Sequence, residues 1–116
     1  MKKGKGVQPD EARWAPHPQL KDVKVSYFLS NRDDRTDLPC LLVRSPKGSC
    51  IEKHVHKNSD DIIFVVRGRA TMRIHGLGDL SMVPGSFFGI PKGVLHQPHD
   101  IEEDLPIYDV FYPYLT

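Results

Sequence analysis

Three histidines and a neighbouring carboxylate have the types and spacing of a metal site. His54 and His56 are separated by one residue, and a polar turn leads from them to Asp60 and Asp61. On a strand, side chains two positions apart point to the same face, so both imidazoles would project to one side. A third imidazole, His96, follows a rigid Pro-Lys-Gly turn. Together these groups suit one divalent transition metal such as iron, manganese, nickel or zinc, whereas the histidine pair alone would also fit a polar surface strand.

The stretches around these histidines resemble the two sequence motifs of the cupin family. Every glycine, proline and histidine of both motifs is present at the family's spacing. The first motif reads Gly48, five residues, His54-x-His56, four residues, Asp61, six residues, Gly68. The second motif reads Gly85, five residues, Pro91-x-Gly93, two residues, His96, three residues, Asp100. The resemblance implies an all-β fold, a single antiparallel β-barrel or jelly roll, which we assign to residues 21–116. Residues 1–20 hold three prolines and no sustained periodicity, and we expect them to form an N-terminal arm.

The resemblance also implies a ligand set. Carried over position by position, it makes His54, His56, Asp61 and His96 the metal ligands. In an octahedral field these four would leave two adjacent positions open for a substrate, or for a substrate and dioxygen. Asp61 stands where the family usually has glutamate and is one methylene shorter, so its carboxylate would lie farther out, bind through water, or not bind. Asp100 replaces the usual asparagine at a position that tends to be structural.

Such a site implies a metal-dependent enzyme that acts on a small oxygenated substrate, such as a sugar or a hydroxy or keto acid. Isomerase, epimerase, lyase, cyclase and dioxygenase chemistry all fit the same ligands, and the fold does not select among them. Two alternatives stay open. One is a non-catalytic barrel that binds a small-molecule ligand, and the other is a structural metal whose coordination positions are all filled by protein.

Strand alternation predicts which side chains face the barrel interior. Cys50 and Glu52 share their parity with His54 and His56, which would place Glu52 near the metal. A carboxylate in a dry pocket can have a raised pKa, so Glu52 is a candidate general base. The alternative is that the strand bends and Glu52 is solvated at the rim.

The same alternation assigns side chains farther along the chain. It predicts that Ala70, Met72 and Ile74 point inward, and that Arg73 and His75 lie on the outside. Tyr27 and Phe111 are candidate residues of the cavity wall, and His99 fits either the pocket rim or a solvated loop.

The chain of 116 residues has room for one domain, and its elements are predicted to be short strands. Ten prolines and nine glycines separate short apolar or alternating runs, and no helical period is evident. About eight strands at this spacing are typical of a small antiparallel barrel or sandwich. The predicted strands are 23–29, 40–43, 50–56, 61–66, 69–75, 80–83, 86–90 and 107–112.

One predicted strand is apolar at every position. The run Ile62-Ile63-Phe64-Val65-Val66 leaves no polar face, so both of its faces should be covered. One face can look into the barrel. The other needs either a second subunit, which predicts a homodimer, or the N-terminal arm folded back over it.

Composition excludes several other classes of protein. Sixteen basic and 15 acidic residues give a net charge of +1, which argues against a nucleic-acid binder that relies on a concentrated basic face. No apolar run approaches the roughly 20 residues that span a bilayer, and the basic first residues are not followed by an apolar stretch, as in a signal peptide. Two cysteines are too few for a disulfide framework. We therefore expect a cytoplasmic protein with a small-molecule partner and no membrane or nucleic-acid partner.

Overall fold

The structure is a computed structural model that describes residue 1 and residues 3–113. Within these residues, short strands are joined by turns and by two single-turn helices, a 3-10 helix at Pro9–Glu11 and α1 at Asn31–Asp34. The strands are β1 (Ala15–Pro16), β2 (Lys24–Leu29), β3 (Cys40–Ser45), β4 (Asp60–Val65), β5 (Ala70–Ile74), β6 (Gly78–Met82), β7 (Phe87–Ile90), β8 (His96–His99) and β9 (Leu105–Tyr112).

The described strands form two antiparallel sheets, which confirms the all-β prediction. The larger sheet has the order β1-β2-β3-β9-β4-β7, and the smaller one has the order β6-β5-β8. Apolar side chains from both sheets meet in one core, in which Val65, Met72 and Met82 are fully buried. Burying these side chains is the main favourable contribution to folding, so the sheets pack with their apolar faces together.

The alternation predicted for β5 is confirmed. Ala70, Met72 and Ile74 are buried, whereas Arg73 and the following His75 are exposed. A β-strand directs successive side chains to opposite faces, so this pattern alone places one face of β5 in the core. The adjacent β4 follows the same rule, and its inner face contributes to the site described below.

The predicted strand at 50–56 is wrong. Within this segment only His54 pairs with another strand residue, His96, and the side-chain pattern is inverted because Ile51 is buried while Cys50 and Glu52 are exposed. The backbone is therefore a loop that crosses toward the smaller sheet. Conversely, β8 was not predicted, because its sequence His-Gln-Pro-His has no apolar alternation.

The edge position of β8 explains how a strand can contain Pro98. Proline has no N–H to give to a neighbouring strand, so it is confined to edges and bulges of sheets. Among the described strands of the smaller sheet, the one neighbour of β8 is β5, where Pro98 stands opposite Met72. Asp100, directly after β8, has a φ of 50°, a left-handed conformation that Asn and Asp adopt more readily than most residues. This is the structural role expected at that position.

The N-terminal arm contributes an edge strand. β1 pairs with β2, and the N–H of His17 donates to the carbonyl of Val23 at 2.8 Å. Leu20 then packs against the core. In the order of the larger sheet, β2 and β3 separate the arm from β9 and β4.

Gly68 has a packing reason to be glycine. Its φ is 97°, and a Cβ at this position would collide with the backbone carbonyl of Asp104. The turn between β4 and β5 can therefore approach the segment before β9 only without a side chain. Within the described residues, the structure has no helix with the length and apolarity needed to cross a membrane.

Candidate metal centre

Main-chain hydrogen bonds hold the histidine-bearing segments together. The N–H of His54 donates to the carbonyl of His96, and the N–H of His96 donates back to the carbonyl of His54, both at 3.0 Å. The N–H of Gly93 donates to the carbonyl of His56 at 2.8 Å. Gly93 has a φ of 81°, which lets the turn reverse and aim β8 at the loop. Backbone contacts thus bring together histidines that are far apart in sequence.

The three imidazoles form one compact cluster. One nitrogen from each of His54, His56 and His96 lies within 4.8 Å of the others. The ring centroids of His54 and His96 are 4.3 Å apart, and His56 lies 5.3 and 5.4 Å from them. His96 is fully buried, while the other two are half-buried. The sequence prediction that these three side chains converge is therefore confirmed.

The hydrogen bonds at Nδ1 leave the other ring nitrogen ready to bind a cation. Nδ1 of His54 donates to the carbonyl of Glu52 at 2.9 Å, and Nδ1 of His96 donates to the carbonyl of Val94 at 3.0 Å. A neutral imidazole that donates from Nδ1 has its lone pair on Nε2. Among the described residues, the buried Nε2 of His96 has no hydrogen-bond partner. This is the arrangement that metal-binding histidines usually have.

The surroundings of His54 also favour the neutral form of its ring. Burial lowers the pKa of His54, and the neighbouring His96 and His56 lower it further, against the opposing effect of its hydrogen bond to Glu52. His54 is therefore neutral near pH 7, as metal ligation requires. The donor set and its protonation fit a divalent transition metal.

Asp61 lies beside two of the imidazoles. Its Oδ2 atom is 3.4 Å from Nε2 of both His56 and His96, and its side chain is almost fully buried. Ligands at right angles around a metal about 2.1 Å away would be about 3 Å apart, so this spacing suits an adjacent ligand. Asp61 is nevertheless outside the set of ligand atoms that all lie within 4.8 Å of one another. The neighbouring Asp60 is exposed and accepts a hydrogen bond from the N–H of Lys92 instead.

Asp109 is a site residue that the sequence analysis missed. It lies on β9, and its Cα pairs with Leu41 and Ile63, whose side chains are buried. Burial raises its pKa well above the ordinary value, and hydrogen bonding to the charged Asp61 raises it further. Burial also acts to raise the pKa of Asp61, but its close polar contacts with Asp109, His56 and His96 outweigh burial and lower the pKa. The opposite directions of the two pKa shifts favour a protonated Asp109 beside a charged Asp61.

A signal for Asp109 was present in the sequence. Strand alternation at the predicted strand 107–112 gives Asp109 the same parity as Ile107 and Phe111, and both of these are buried. A carboxylate at an inward position of an apolar strand is costly unless it has a partner. Applying the alternation rule to β9 would have found it.

Aromatic and imidazole groups complete the surroundings. Phe111 packs edge-on against His56 with ring centroids 4.9 Å apart, so it lies beside the histidine cluster. Tyr27 pairs with the buried Leu41 but is itself 54% exposed. His17, from the arm, is close enough to His56 for the two charges to interact; burial and this interaction lower its pKa.

Glu52, the candidate general base, is exposed at the surface. Its backbone carbonyl accepts the hydrogen bond from His54, whereas no hydrogen bond joins its carboxylate to the cluster among the described residues. Glu52 therefore lacks the buried position that the sequence analysis considered for it. His75 and His99 lie away from the cluster, and His99 contacts Asp79 and Asp100 on the smaller sheet.

Comparison with solved structures identifies known proteins that share this fold. The KdgF structure from Halomonas sp. has a TM-score of 0.77 and 24% identity, covering 92% of this chain and 93% of the other. A predicted oxalate decarboxylase from Thermotoga maritima has a TM-score of 0.78 and 18% identity, covering 92% and 97%. The polyketide cyclase RemF from Streptomyces resistomycificus has a TM-score of 0.75 and 18% identity, covering 94% and 79%. At these identities the likeness concerns the fold alone.

Sequence comparisons give the family. An uncharacterized protein of Streptomyces coelicolor, SCO3923, is 41% identical over 54 residues, which are 47% of this chain and 50% of the relative. The match thus spans half the length of this curated relative. The model of the cupin domain family matches residues 41–111, more than half of the chain. The chain belongs to the cupin family.

Proposed function

We propose that this protein is a metal-dependent enzyme that acts on a small oxygenated substrate. The observation that carries the proposal is the cluster of three imidazoles, whose nitrogen atoms lie close enough together to share one divalent metal. His54, His56 and His96 would hold iron, manganese, nickel or zinc, with Asp61 as an adjacent ligand or as the group that orients His56 and His96. A metal bound here would supply a Lewis acid for substrate oxygen atoms.

The chain's own residues would shape and orient the site. Phe111 fixes the ring of His56 by edge-on packing, and the protonated Asp109 holds the carboxylate of Asp61 in one orientation. The buried surroundings of His96 exclude water from one side of the cluster. Such preorganisation favours a compact substrate that enters from the half-exposed side of His54 and His56.

The proposal does not name a single reaction. It covers four classes of enzyme: isomerase or epimerase, lyase, cyclase and dioxygenase. Two solved structures with this fold, a predicted oxalate decarboxylase and a polyketide cyclase, are examples of the lyase and cyclase classes. Glu52 enters as a candidate general base, to be tested by Glu52→Gln. Its exposed position makes the expected effect on turnover small.

A second candidate function is a non-catalytic cupin that binds a ligand or holds a structural metal. The contact of Asp61 with Asp109 favours this alternative, because a carboxylate already engaged by a neighbour is a weaker fourth ligand. This candidate predicts ligand binding that persists without metal, and no turnover.

Element-resolved metal analysis of tag-free protein, purified without chelators, tests the site first. We expect about one equivalent of metal per chain, and its loss in His54→Ala and His96→Ala. His75→Ala is the matched control, because His75 is exposed outside the cluster and should retain the metal. Equal metal content in all variants would overturn the proposed site.

Turnover separates the two candidate functions. The metal-loaded protein, the metal-free protein and His96→Ala should be assayed on a panel of sugars and hydroxy and keto acids. Metal-dependent turnover that His96→Ala abolishes supports the enzyme. Saturable binding that survives metal removal, without turnover, supports the non-catalytic alternative.

The proposed cellular setting is the cytoplasm. Cys40 and Cys50, both within the described residues, are free thiols, as is usual for proteins in reducing compartments. The near-neutral net charge gives no support to a nucleic-acid partner. Fractionation of the native host would test the location.

A further inference from the structure

We propose that His17, in the N-terminal arm, contacts the substrate by donating a hydrogen bond from its Nε2 atom. The acceptor is a second oxygen-bearing group of a molecule whose other end is held at the histidine cluster. The substrate class is then a hydroxy or keto acid that carries such a group a few carbons from its chelating end. This inference rests on the proposed metal-dependent function and adds to it a residue outside both sequence motifs.

The ring of His17 is held in place by the backbone of its own arm. Its Nδ1 atom accepts hydrogen bonds from the N–H groups of Gln19 and Leu20, both at 3.0 Å. The N–H of His17 donates to the carbonyl of Val23 at 2.8 Å, and the side chain of Leu20 packs against the core. A side chain that is already fixed loses little conformational entropy when a ligand arrives, which favours binding.

The hydrogen bonds also fix the tautomer of His17, which is the opposite of the tautomer at the histidine cluster. Because Nδ1 of His17 accepts two N–H groups, the proton of the neutral ring is on Nε2. His54 and His96 donate from Nδ1 instead and keep a lone pair on Nε2. Those two rings can bind a cation, whereas His17 offers a hydrogen-bond donor. No hydrogen bond between described residues uses this Nε2 donor, so it is available to a ligand.

Strand register places His17 on the inner face of the larger sheet. Ala15 on β1 stands opposite Val25, whose side chain is buried in the core. Opposite residues of antiparallel strands share a face, and His17 follows Ala15 by two positions. The hydrogen bond from His17 to Val23 continues the same register, and Val23 is also fully buried. The half-buried ring of His17 therefore points toward the barrel interior from the edge of the sheet.

The half-exposed side of the histidine cluster lies near this edge. His17 and His56 are close enough for their charges to interact, and burial together with this interaction lowers the pKa of His17. Tyr27 pairs with the buried Leu41 on the inner face but is itself 54% exposed, so the inner face is open to solvent along this part of β2. A molecule that enters through this opening meets the cluster on one side and His17 on the other.

The two sides of the opening define the chemistry of the substrate. A divalent metal with neutral imidazoles and one carboxylate, Asp61, keeps a positive charge, which favours an anionic chelating group such as that of a hydroxy or keto acid. On the other side, the Nε2 donor of His17 requires an acceptor. A carboxylate is the strongest acceptor, because hydrogen bonds to charged groups are stronger than those between neutral groups. An acid with a second carboxylate or carbonyl group satisfies both sides.

Titration calorimetry of the metal-loaded protein with malate and lactate tests the inference. The two probes share the hydroxy-acid end, and malate alone carries a second carboxylate. We expect wild type to bind malate about 10-fold more tightly than lactate, the usual contribution of a hydrogen bond to a charged group. His17→Asn should remove this preference and leave the affinity for lactate unchanged.

Asparagine is chosen because it separates substrate contact from a structural role of the arm. Its side-chain oxygen can accept the N–H of the residue two positions ahead, as Nδ1 of His17 does, so the turn is kept. Its side chain ends short of the position of Nε2, so the donor is lost. His75→Asn is the matched control, because His75 is exposed outside the cluster, and this variant should keep the preference for malate.

Long-range proton–nitrogen NMR spectra of the metal-free protein give a readout that needs no ligand. We expect the proton on Nε2 in His17 and on Nδ1 in His54 and His96. The opposite tautomer at His17, or a preference for malate that survives His17→Asn, would overturn the inference.

Metal content separates this inference from the proposed function on which it rests. His17→Asn should hold as much metal as wild type, because the Nε2–H tautomer cannot bind a cation. Loss of metal in this variant would make His17 a ligand and overturn the inference. Metal-loaded wild type that binds malate no more tightly than lactate would overturn the inference alone, whereas wild type that cannot hold a metal would overturn the proposed function as well.

Discussion

Both faces of the larger sheet break the usual rule that polar side chains are exposed and apolar side chains are buried. They break it in opposite ways. The inner face buries the carboxyl groups of Asp61 and Asp109, whereas the outer face exposes the rings of Phe64 and Tyr108. Buried carboxyl groups need compensating partners, and exposed aromatic clusters usually mark contact surfaces. The comparison teaches that one sheet can bury polar groups that fit a cation on one face while its other face exposes aromatic rings.

The largest expected difference is in folding stability, between alanine substitutions of two adjacent isoleucines on opposite faces. Ile63 is 3% exposed in the core, and Ile62 is 36% exposed on the outer face. Ile63→Ala should lower the free energy of unfolding by about 2–5 kcal/mol, because it leaves a cavity. Ile62→Ala should cost less than about 1 kcal/mol, because the Ile62 side chain is already partly exposed to solvent. Urea denaturation measures both, and equal losses would contradict the assignment of faces.

Adjacent aspartates give the next contrast, in metal affinity. Asp61 lies 3.4 Å from two imidazole nitrogens, whereas Asp60 bonds the N–H of Lys92. We expect Asp61→Ala to weaken metal binding by about 10- to 100-fold, the usual effect of removing a group next to a metal-binding histidine. Asp60→Ala should leave affinity unchanged in a competitive chelator titration. A similar loss in both variants would show that Asp61 has no specific role.

Asp109 should give the metal-free protein a particular pH dependence. Because its folded pKa is raised, chiefly by burial, its contribution to stability is complete below the ordinary value of 3.8 and is lost as the pH rises above that value. Asp109→Asn keeps an N–H donor for Asp61 without a titrating proton. The variant should therefore lose this decline and be more stable than wild type at pH 7.

Denaturation of metal-free wild type and Asp109→Asn between pH 4 and 8 checks this expectation. The lowered pKa of Asp61 has the opposite sign and acts below about pH 4, outside this range. Parallel curves for the two proteins would show that Asp109 is ionised in the fold.

The smallest expected effect comes from a cluster of exposed charged side chains that belongs to neither face of the larger sheet. The Arg73 guanidinium and His99 hold the pKa of Asp79 at about 2, below its ordinary value of 3.8. Its stabilisation is present above pH 3.8 and is lost as the pH falls toward 2. Because Asp79 is solvent-exposed, Asp79→Asn should change acid unfolding only slightly, and a large effect would mean that exposed ion pairs matter more here than usual.

The fold and most of the histidine cluster could be predicted because each rests on local rules. Alternation placed Ala70, Met72 and Ile74 in the core, and motif spacing brought together His54, His56 and His96. These rules failed where tertiary contacts decide the conformation. The residue pattern of 50–56 alternates like that of a strand. In the structure, however, its main-chain hydrogen bonds join it to the turn at 93–96, so the segment is a loop and its side chains do not alternate as predicted.

The remaining features depend on long-range pairing. β8 forms because His96 and its neighbours pair with β5, which compensates for a sequence without strand propensity. The pairing of Asp109 with Asp61 needs the register of β9 against β4. The separation of the N-terminal arm from β4 depends on the order of strands in the larger sheet, which no local pattern specifies.

The reciprocal main-chain bonds between His54 and His96 have a consequence for evolution. Peptide groups, not side chains, join the two segments, so replacing either histidine leaves the connection in place. Mutation can therefore change the side chains at these two positions while the backbone keeps the distance between the positions the same. An ancestral chain built this way could have explored new chemistries without first having to rediscover its architecture.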